Sequence, residues 1–391
     1  MKQYDKNSLI GFVLMAIILI VFNTFFFPEA PNVTNEDVIV KTNAETTIRP
    51  TTIPPSISDT NINEELKMNY GSFANATIGK ETLHTIENDK LRITVSNKGG
   101  RITSVILKGY ETHDSFPLDL LDADSSRFNL QFTTKQVINT SDLFFIADQN
   151  INSLIMKSKA DDNHYIEYVY TLTDDYLIDL DINLVGIENL IPTSINYINL
   201  EWEMGAPQTE KSKSNQDMYT GIQYQYSADN EVDYLSFSST DQEEINARLN
   251  WVAFKQQFFS AIFIAKEGFE KPTNLNSIKN EDSKFIKTLT AQFELPYNHK
   301  KDEKIGFQFY FGPNHYKTLE SYDSGFEELI PLGWGIFGWV NEYIIINIFD
   351  LLNKYFSSYG IIILLLTMII KLGLAPFTYK AFLSQAKMKV L

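Results

Sequence analysis

Lys371 is a charge where the surrounding residues leave no room for one. It lies inside an apolar run from about Tyr359 to Phe377, in which Ile361 to Ile370 is interrupted only by Thr367. A cation at that depth in a bilayer is costly, and such residues mostly face a bundle interior or a water-filled cavity. The chemistry it offers is attraction for a polar or acidic segment, with no bond made or broken. The residues alone leave a second reading open. Lys371 is five positions before Pro376, ~7.5 Å of helix rise, so its side chain could snorkel to the headgroups. Thr367 lies one turn earlier on the same face. A hydroxyl there more commonly bonds back to its own helix carbonyl than to a ligand.

Other candidates for chemistry are weaker. Asp122 with Asp124, and Glu243 with Glu244, are carboxylate pairs without an accompanying histidine or metal set. His84, His113, His164, His299 and His315 form no pair at metal-ligand spacing. Gly99-Gly100 lacks the lysine and the spacing of a phosphate loop. No enzymatic constellation emerges, and no cofactor or metal is implied. The chain contains no cysteine, which removes disulfides, thiolate nucleophiles and a lipidated cysteine. Its net charge of -16 disfavours nucleic acid, because nothing would neutralise phosphates.

Lys371 needs elements to hold it, and the chain of 391 residues has length for two or three domains. Two apolar spans frame it. The first, about Leu9 to Phe27, follows Lys2 and Lys6 and ends Phe25-Phe26-Phe27-Pro28 without the small residues that signal cleavage requires. It predicts an uncleaved anchor over residues 1–27. The second predicts a transmembrane helix over 358–377, with Lys380, Lys387 and Lys389 after it. The positive-inside bias puts both flanks in the cytoplasm and residues 28–357 outside or at the outer interface, which in a bacterial inner membrane means the periplasm. Residues 28–78, rich in Pro, Thr and Asn, predict a flexible tether.

Period-two alternation dominates residues 79–318. Ile178, Leu180, Ile182 and Leu184 alternate with Asp179, Asp181 and Asn183; Ile198 to Met204, Ile305 to Phe311 and Ile166 to Leu172 behave alike. Asp174-Asp175 and Lys98-Gly99-Gly100 supply turns. The pattern predicts an antiparallel β-sandwich. Over 319–357 the period becomes helical: Ile344, Ile345, Ile348, Phe349, Leu352, Tyr355 and Phe356 share one face, and Asn347, Asp350 and Lys354 the other. With Trp334 and Trp339 ahead of it, this predicts an amphipathic helix in the membrane interface; the competing expectation is a helix packed on the β domain.

Three motifs carry a family resemblance. They are the C-terminal run Tyr359-Gly360-Ile361-Ile362-Ile363, Lys371, Pro376-Phe377-Thr378 and Ala386-Lys387-Met388-Lys389; the segment Trp251-Val252-Ala253-Phe254-Lys255-Gln256-Gln257-Phe258-Phe259; and Phe311-Gly312-Pro313. With the order of anchor and tether, the whole chain resembles the YidC-type insertases with a large periplasmic domain. The resemblance implies a twisted β-sandwich similar to sugar-binding folds, an interfacial helix and the start of a helical core, with residues 378–391 beginning a cytoplasmic hairpin. In that family a cationic residue faces a hydrophilic groove and draws in the polar outer segment of a substrate. Lys371 matches its position, where many members carry arginine, and Thr367 matches a groove-lining position. The implied role is insertion and folding of inner-membrane proteins, with or without the Sec translocon. The implied partners are nascent membrane proteins, the bilayer, and as further candidates the Sec translocon and the ribosome. The family core has more transmembrane helices after the hairpin, so the chain is expected to be the front part of a longer protein.

Two other readings remain. One is a periplasmic β domain held by two anchors that binds a partner or glycan, with Lys371 merely snorkelling; it would take over if the native chain ended at Leu391. The other, a sugar-active enzyme on a mutarotase-like sandwich, needs convergent histidines and carboxylates in a cleft, and the histidines show no such grouping.

Overall fold

Alternation of apolar and polar residues along one strand decides which face it buries. In Leu177–Val185 the side chains of Ile178, Leu180, Ile182 and Leu184 are buried and the residues between them are half-exposed. The same alternation recurs in Tyr165–Leu172, Ser153–Lys159 and Ser126–Thr133. The structure is a computed structural model that describes residues 59–280, 284–356 and 358–388. The expected anchor over 1–27, the tether up to residue 58 and the last three residues lie outside the described residues.

The strands form a nine-stranded, a six-stranded and a four-stranded sheet. At the centre of the nine-stranded sheet, Asp302–Pro313 pairs antiparallel with Leu177–Val185 on one side and Phe259–Phe269 on the other. At the centre of the six-stranded sheet, Tyr197–Pro207 lies antiparallel between Phe285–Pro296 and Ser126–Thr133. The two large sheets face each other across aromatic rings. Trp202 of the six-stranded sheet stacks on Phe254 of the nine-stranded one at 3.8 Å between centroids. Phe128 meets Tyr168, Phe263 and Phe309 edge-on across the same interface, an arrangement favoured by the ring quadrupoles. The fold is therefore a β-sandwich, with the four-stranded sheet contributing Leu91, Ile93, Val95 and Val105 to the same core.

The Lys98-Gly99-Gly100 turn forms as expected, with both glycines at positive φ (79° and 64°). The Gly100 carbonyl accepts a hydrogen bond from the buried Tyr170 hydroxyl at 2.7 Å.

Two domain edges differ from the sequence expectation. Residues 59–77, placed in the tether, form an α-helix (Asp59–Tyr70) and a 3-10 segment (Gly71–Thr77). Phe73 is buried there, its ring 5.7 Å from that of Phe132. One aromatic anchor in a short irregular segment produces no periodic signal, so composition alone masks it. At the other edge, residues 319–330 belong to the sandwich. Leu319, Phe326 and Leu329 are buried, Trp251 Nε1 donates to the Ser324 carbonyl at 3.0 Å, and the Tyr322 hydroxyl donates to Asp175 at 2.9 Å.

Candidate functional site

Beyond the sandwich the chain turns helical, through Ile336–Val340, a π-helical turn Asn341–Ile345 and Ile346–Asn353. Asn341 Nδ2 donates to the Leu332 carbonyl at 2.7 Å and fixes the entry. The exposed side chains of this stretch are largely apolar: Trp334 (82 % exposed), Ile336, Phe337, Trp339, Tyr343 and Leu351. On the opposite side Asp350 approaches His315 Nε2 at 3.8 Å. The segment is tied to the β domain through the residues before it while its large apolar side chains face outward.

A long helix, Tyr359–Met388, follows. Phe349 stacks on Tyr359 (6.3 Å between centroids, 4° between planes), joining the two helices at their corner. Residues Tyr359–Leu383 have a mean hydropathy of 2.3 over their most apolar window, making this the one described helix long and apolar enough to cross a membrane. Twenty-five residues span ~37 Å, more than the ~30 Å of a hydrocarbon core. The helix passes through Pro376 without stopping, although proline withholds one backbone donor. Just beyond it Thr378 donates its hydroxyl to the Leu374 and Ala375 carbonyls at 2.9 and 3.0 Å. The helix runs on to Met388, past residue 378 where the hairpin is expected to start.

Lys371 lies on this helix, exposed, with no hydrogen bond or ion pair among the described residues. Thr367 sits one turn before it, and its hydroxyl donates to the Ile363 carbonyl at 2.8 Å. Both acceptor lone pairs on that oxygen remain usable, but its proton is committed.

The remaining candidates stay apart. Asp122 pairs with Lys284 at 2.6 Å, and Glu243 accepts a hydrogen bond from Tyr224 at 3.3 Å. Among the described residues no cluster of His, Asp or Glu could hold a metal ion.

Two buried lysines escaped the sequence reading. Lys287 is fully buried, and its ammonium donates to the carbonyls of Thr220 and Phe237 at 2.6 Å each and of Asp217 at 3.2 Å. Burial pulls its pKa below the usual lysine range against the opposing charge of Asp217. Lys255 ends the Leu249–Lys255 strand with its ammonium 5.5 Å from the Phe237 ring and 5.9 Å from that of Tyr219. Burial brings it down to about 8. A signal for Lys255 stands in its own strand: Trp251-Val252-Ala253-Phe254 is apolar without alternation, the mark of a strand buried on both faces, and Lys255 follows it directly.

With this geometry in hand, the chain can be set beside known proteins. A sequence profile of the YidC periplasmic domain matches residues 83–346. The chain is 36 % identical over 424 residues to the membrane protein insertase YidC of Parabacteroides distasonis, covering 99 % of this chain and 65 % of that protein. It is 36 % identical over 402 residues to the protein of the same name from Bacteroides fragilis, covering 99 % and 64 %. The chain therefore spans a little under two thirds of the length of these relatives. Among solved structures, a galactose mutarotase related enzyme from Lactobacillus acidophilus aligns over 59 % of this chain and 97 % of its own, with 10 % identity and a TM-score of 0.39. That likeness is too distant to carry an argument.

Proposed function

The chain belongs to the YidC family, and from that premise we propose that it works in membrane protein insertion, with Lys371 as the residue that draws the polar part of a substrate into the bilayer. In this reading the helix Tyr359–Met388 is the first wall of a hydrophilic groove, and residues 336–353 lie in the outer interface of the inner membrane. The sandwich stands in the periplasm, and the segment 1–27 anchors the N-terminus from the cytoplasmic side. Nascent membrane proteins are the substrates, with the Sec translocon and the ribosome as candidate partners.

The observation that carries the reading is the unpaired cation itself. A lysine in an apolar helix with no partner among the described residues is costly in a bilayer, and such residues mostly face a bundle interior or a water-filled cavity. A wet, half-open groove lets it stabilise an acidic or polar outer tail partway across, while the apolar segment of the substrate slides along neighbouring helices. Thr367, one turn away, adds an acceptor to the same face. Neither role involves bond chemistry.

The test uses the native gene product reconstituted in vesicles and a substrate with an acidic outer tail. Lys371→Ala should lower insertion by roughly tenfold, the scale of one intramembrane electrostatic contact. Lys371→Arg should retain most activity, since the charge is kept. Equal insertion by wild type and Lys371→Ala would remove Lys371 from the mechanism.

A further inference from the structure

The two buried lysines of the sandwich are held differently. Lys287 spends its donors on three carbonyls. Lys255, 5 % exposed, makes no hydrogen bond and no ion pair among the described residues. A buried charge is normally paired. Its cross-strand neighbours, Gly221 and Ser260, bring no charge. The acids in the loops around it are engaged elsewhere. Asp217, in the loop that carries Tyr219, pairs with Lys279 at 2.7 Å and with Lys287 at 3.4 Å. Asp233 and Asp241, on either side of Phe237 in sequence, accept the backbone N–H groups of Tyr234 and Ser236 at 2.8 Å each. Burial alone accordingly lowers the Lys255 pKa, with no carboxylate pulling it back up.

The ammonium is not sealed in. On the neighbouring strand Gly221–Tyr226, Gln223 Oε1 is both unpartnered and enclosed. Lys255 Nζ is unpartnered but not enclosed, so a solute reaches it. Around it stand rings. Gly221 has no side chain, and the Phe237 ring lies directly on the strand there, 5.5 Å from the ammonium. Tyr234 stacks on Phe237 at 5.3 Å between centroids, and Tyr219 lies 5.9 Å from the ammonium on its other ring contact. Tyr219 and Tyr234 are 44 % and 56 % exposed, so the cation stands at the base of an aromatic rim open to solvent. Such walls select a ligand. The rings attract the ammonium but bring no charge to neutralise it. One lysine offers a single positive charge, which a carboxylate matches. A phosphate would bring more charge into a dry place without a second cation.

We propose that Lys255 anchors a binding site for a carboxylate carried on an apolar or aromatic body, the ammonium bonding the carboxylate and Tyr219, Phe237 and Tyr234 covering the body. Such a ligand is a small organic acid, or an acidic residue set among apolar ones in a polypeptide; the chemistry at Lys255 is the same for both. The site belongs to the β domain and stands independently of the role of Lys371.

The experiment is titration calorimetry of the full chain in detergent with two probes, each beside its uncharged counterpart. One pair is 3-phenylpropionate and 3-phenylpropanamide. The other is an end-capped peptide with one glutamate between phenylalanines and the same peptide with glutamine. Near neutral pH the acid of at least one pair should bind about tenfold more tightly than its amide, the scale of one charge-assisted hydrogen bond. The pair with the tighter acid identifies the source. The affinity of the acid should fall about tenfold between pH ~7 and pH ~9, because the free ammonium, with its pKa at about 8, loses its proton over that range. The preference should vanish in Lys255→Met. Equal binding of acid and amide in both pairs, a preference that persists in Lys255→Met, or an affinity unchanged over that pH range overturns the site. The acid–amide comparison and the pH course are read on the wild type, so they decide the matter whether or not the variant folds.

Discussion

Lys255 holds a charge in a place that penalises it. Its ammonium has two ring faces for company, and burial brings its pKa from 10.5 to about 8. Between those values the folded chain binds fewer protons than the unfolded chain. Stability from this site is therefore lowest below pH ~8 and is recovered as the pH rises towards ~10.5. Replacing the charge by an apolar side chain of similar length removes the penalty. Lys255→Met should be more stable than wild type near neutral pH by about 2–3 kcal/mol, the gap narrowing as the pH approaches ~10. Urea denaturation of the detergent-solubilised chain across that range measures it, and a gap independent of pH would contradict the account. Individual residues differ in how visible they are from sequence. Lys371 is legible because a lone charge in an apolar run is a local anomaly. The two rings beside the Lys255 ammonium, Tyr219 and Phe237, are not, because both stand far from it in sequence.

Strands are the elements the sequence displays best, since period two is written directly in Ile178–Leu184 and its counterparts. Elements held by a few contacts at irregular spacing are displayed worst. The Gly71–Thr77 segment docks through Phe73, and residues 319–330 dock through Leu319, Phe326 and one indole hydrogen bond from Trp251; neither repeats at any period. Lys287 belongs to the same class. It reaches from the strand Phe285–Pro296 to carbonyls in two loops, Asp217 and Thr220 in one and Phe237 in the other. It thereby staples both loops over that end of the sandwich. Lys287→Ala would take the ammonium from the Thr220 and Phe237 carbonyls, leave the Asp217 carbonyl with only the Thr220 N–H, and leave the Asp217 carboxylate with one ion pair in place of two. The expected cost is ~3–5 kcal/mol, the range for breaking a buried charged network. Loss of less than ~1 kcal/mol in urea denaturation would mean that water replaces the ammonium and that the loops are held by other contacts.

At the scale of the molecule the question is whether the sandwich performs the work or supports it, and the fold states where to cut. A deletion following the periodic strands would run from about residue 83 to 313. It would strand Phe73, Leu319, Phe326 and Leu329, all buried against the sandwich, and leave Trp251's acceptor at Ser324 unpaired. Such a product exposes apolar surface and should be degraded whatever the domain does. Removing residues 59–330 instead takes away every buried side chain among the described residues except Ile362. It keeps the helical segment from Ile336, the corner between Phe349 and Tyr359, and the helix carrying Lys371. If Lys371 and its helix do the insertion, the native gene product lacking 59–330 should accumulate in the membrane and restore growth to cells depleted of the intact protein. The product lacking only 83–313 should not accumulate. If the 59–330 deletion accumulates at the wild-type level and restores nothing, the activity resides in the β domain, and the anchored binding-module reading replaces the insertase one. Both proteins must be quantified by immunoblot of the membrane fraction, because only accumulation separates loss of function from loss of fold.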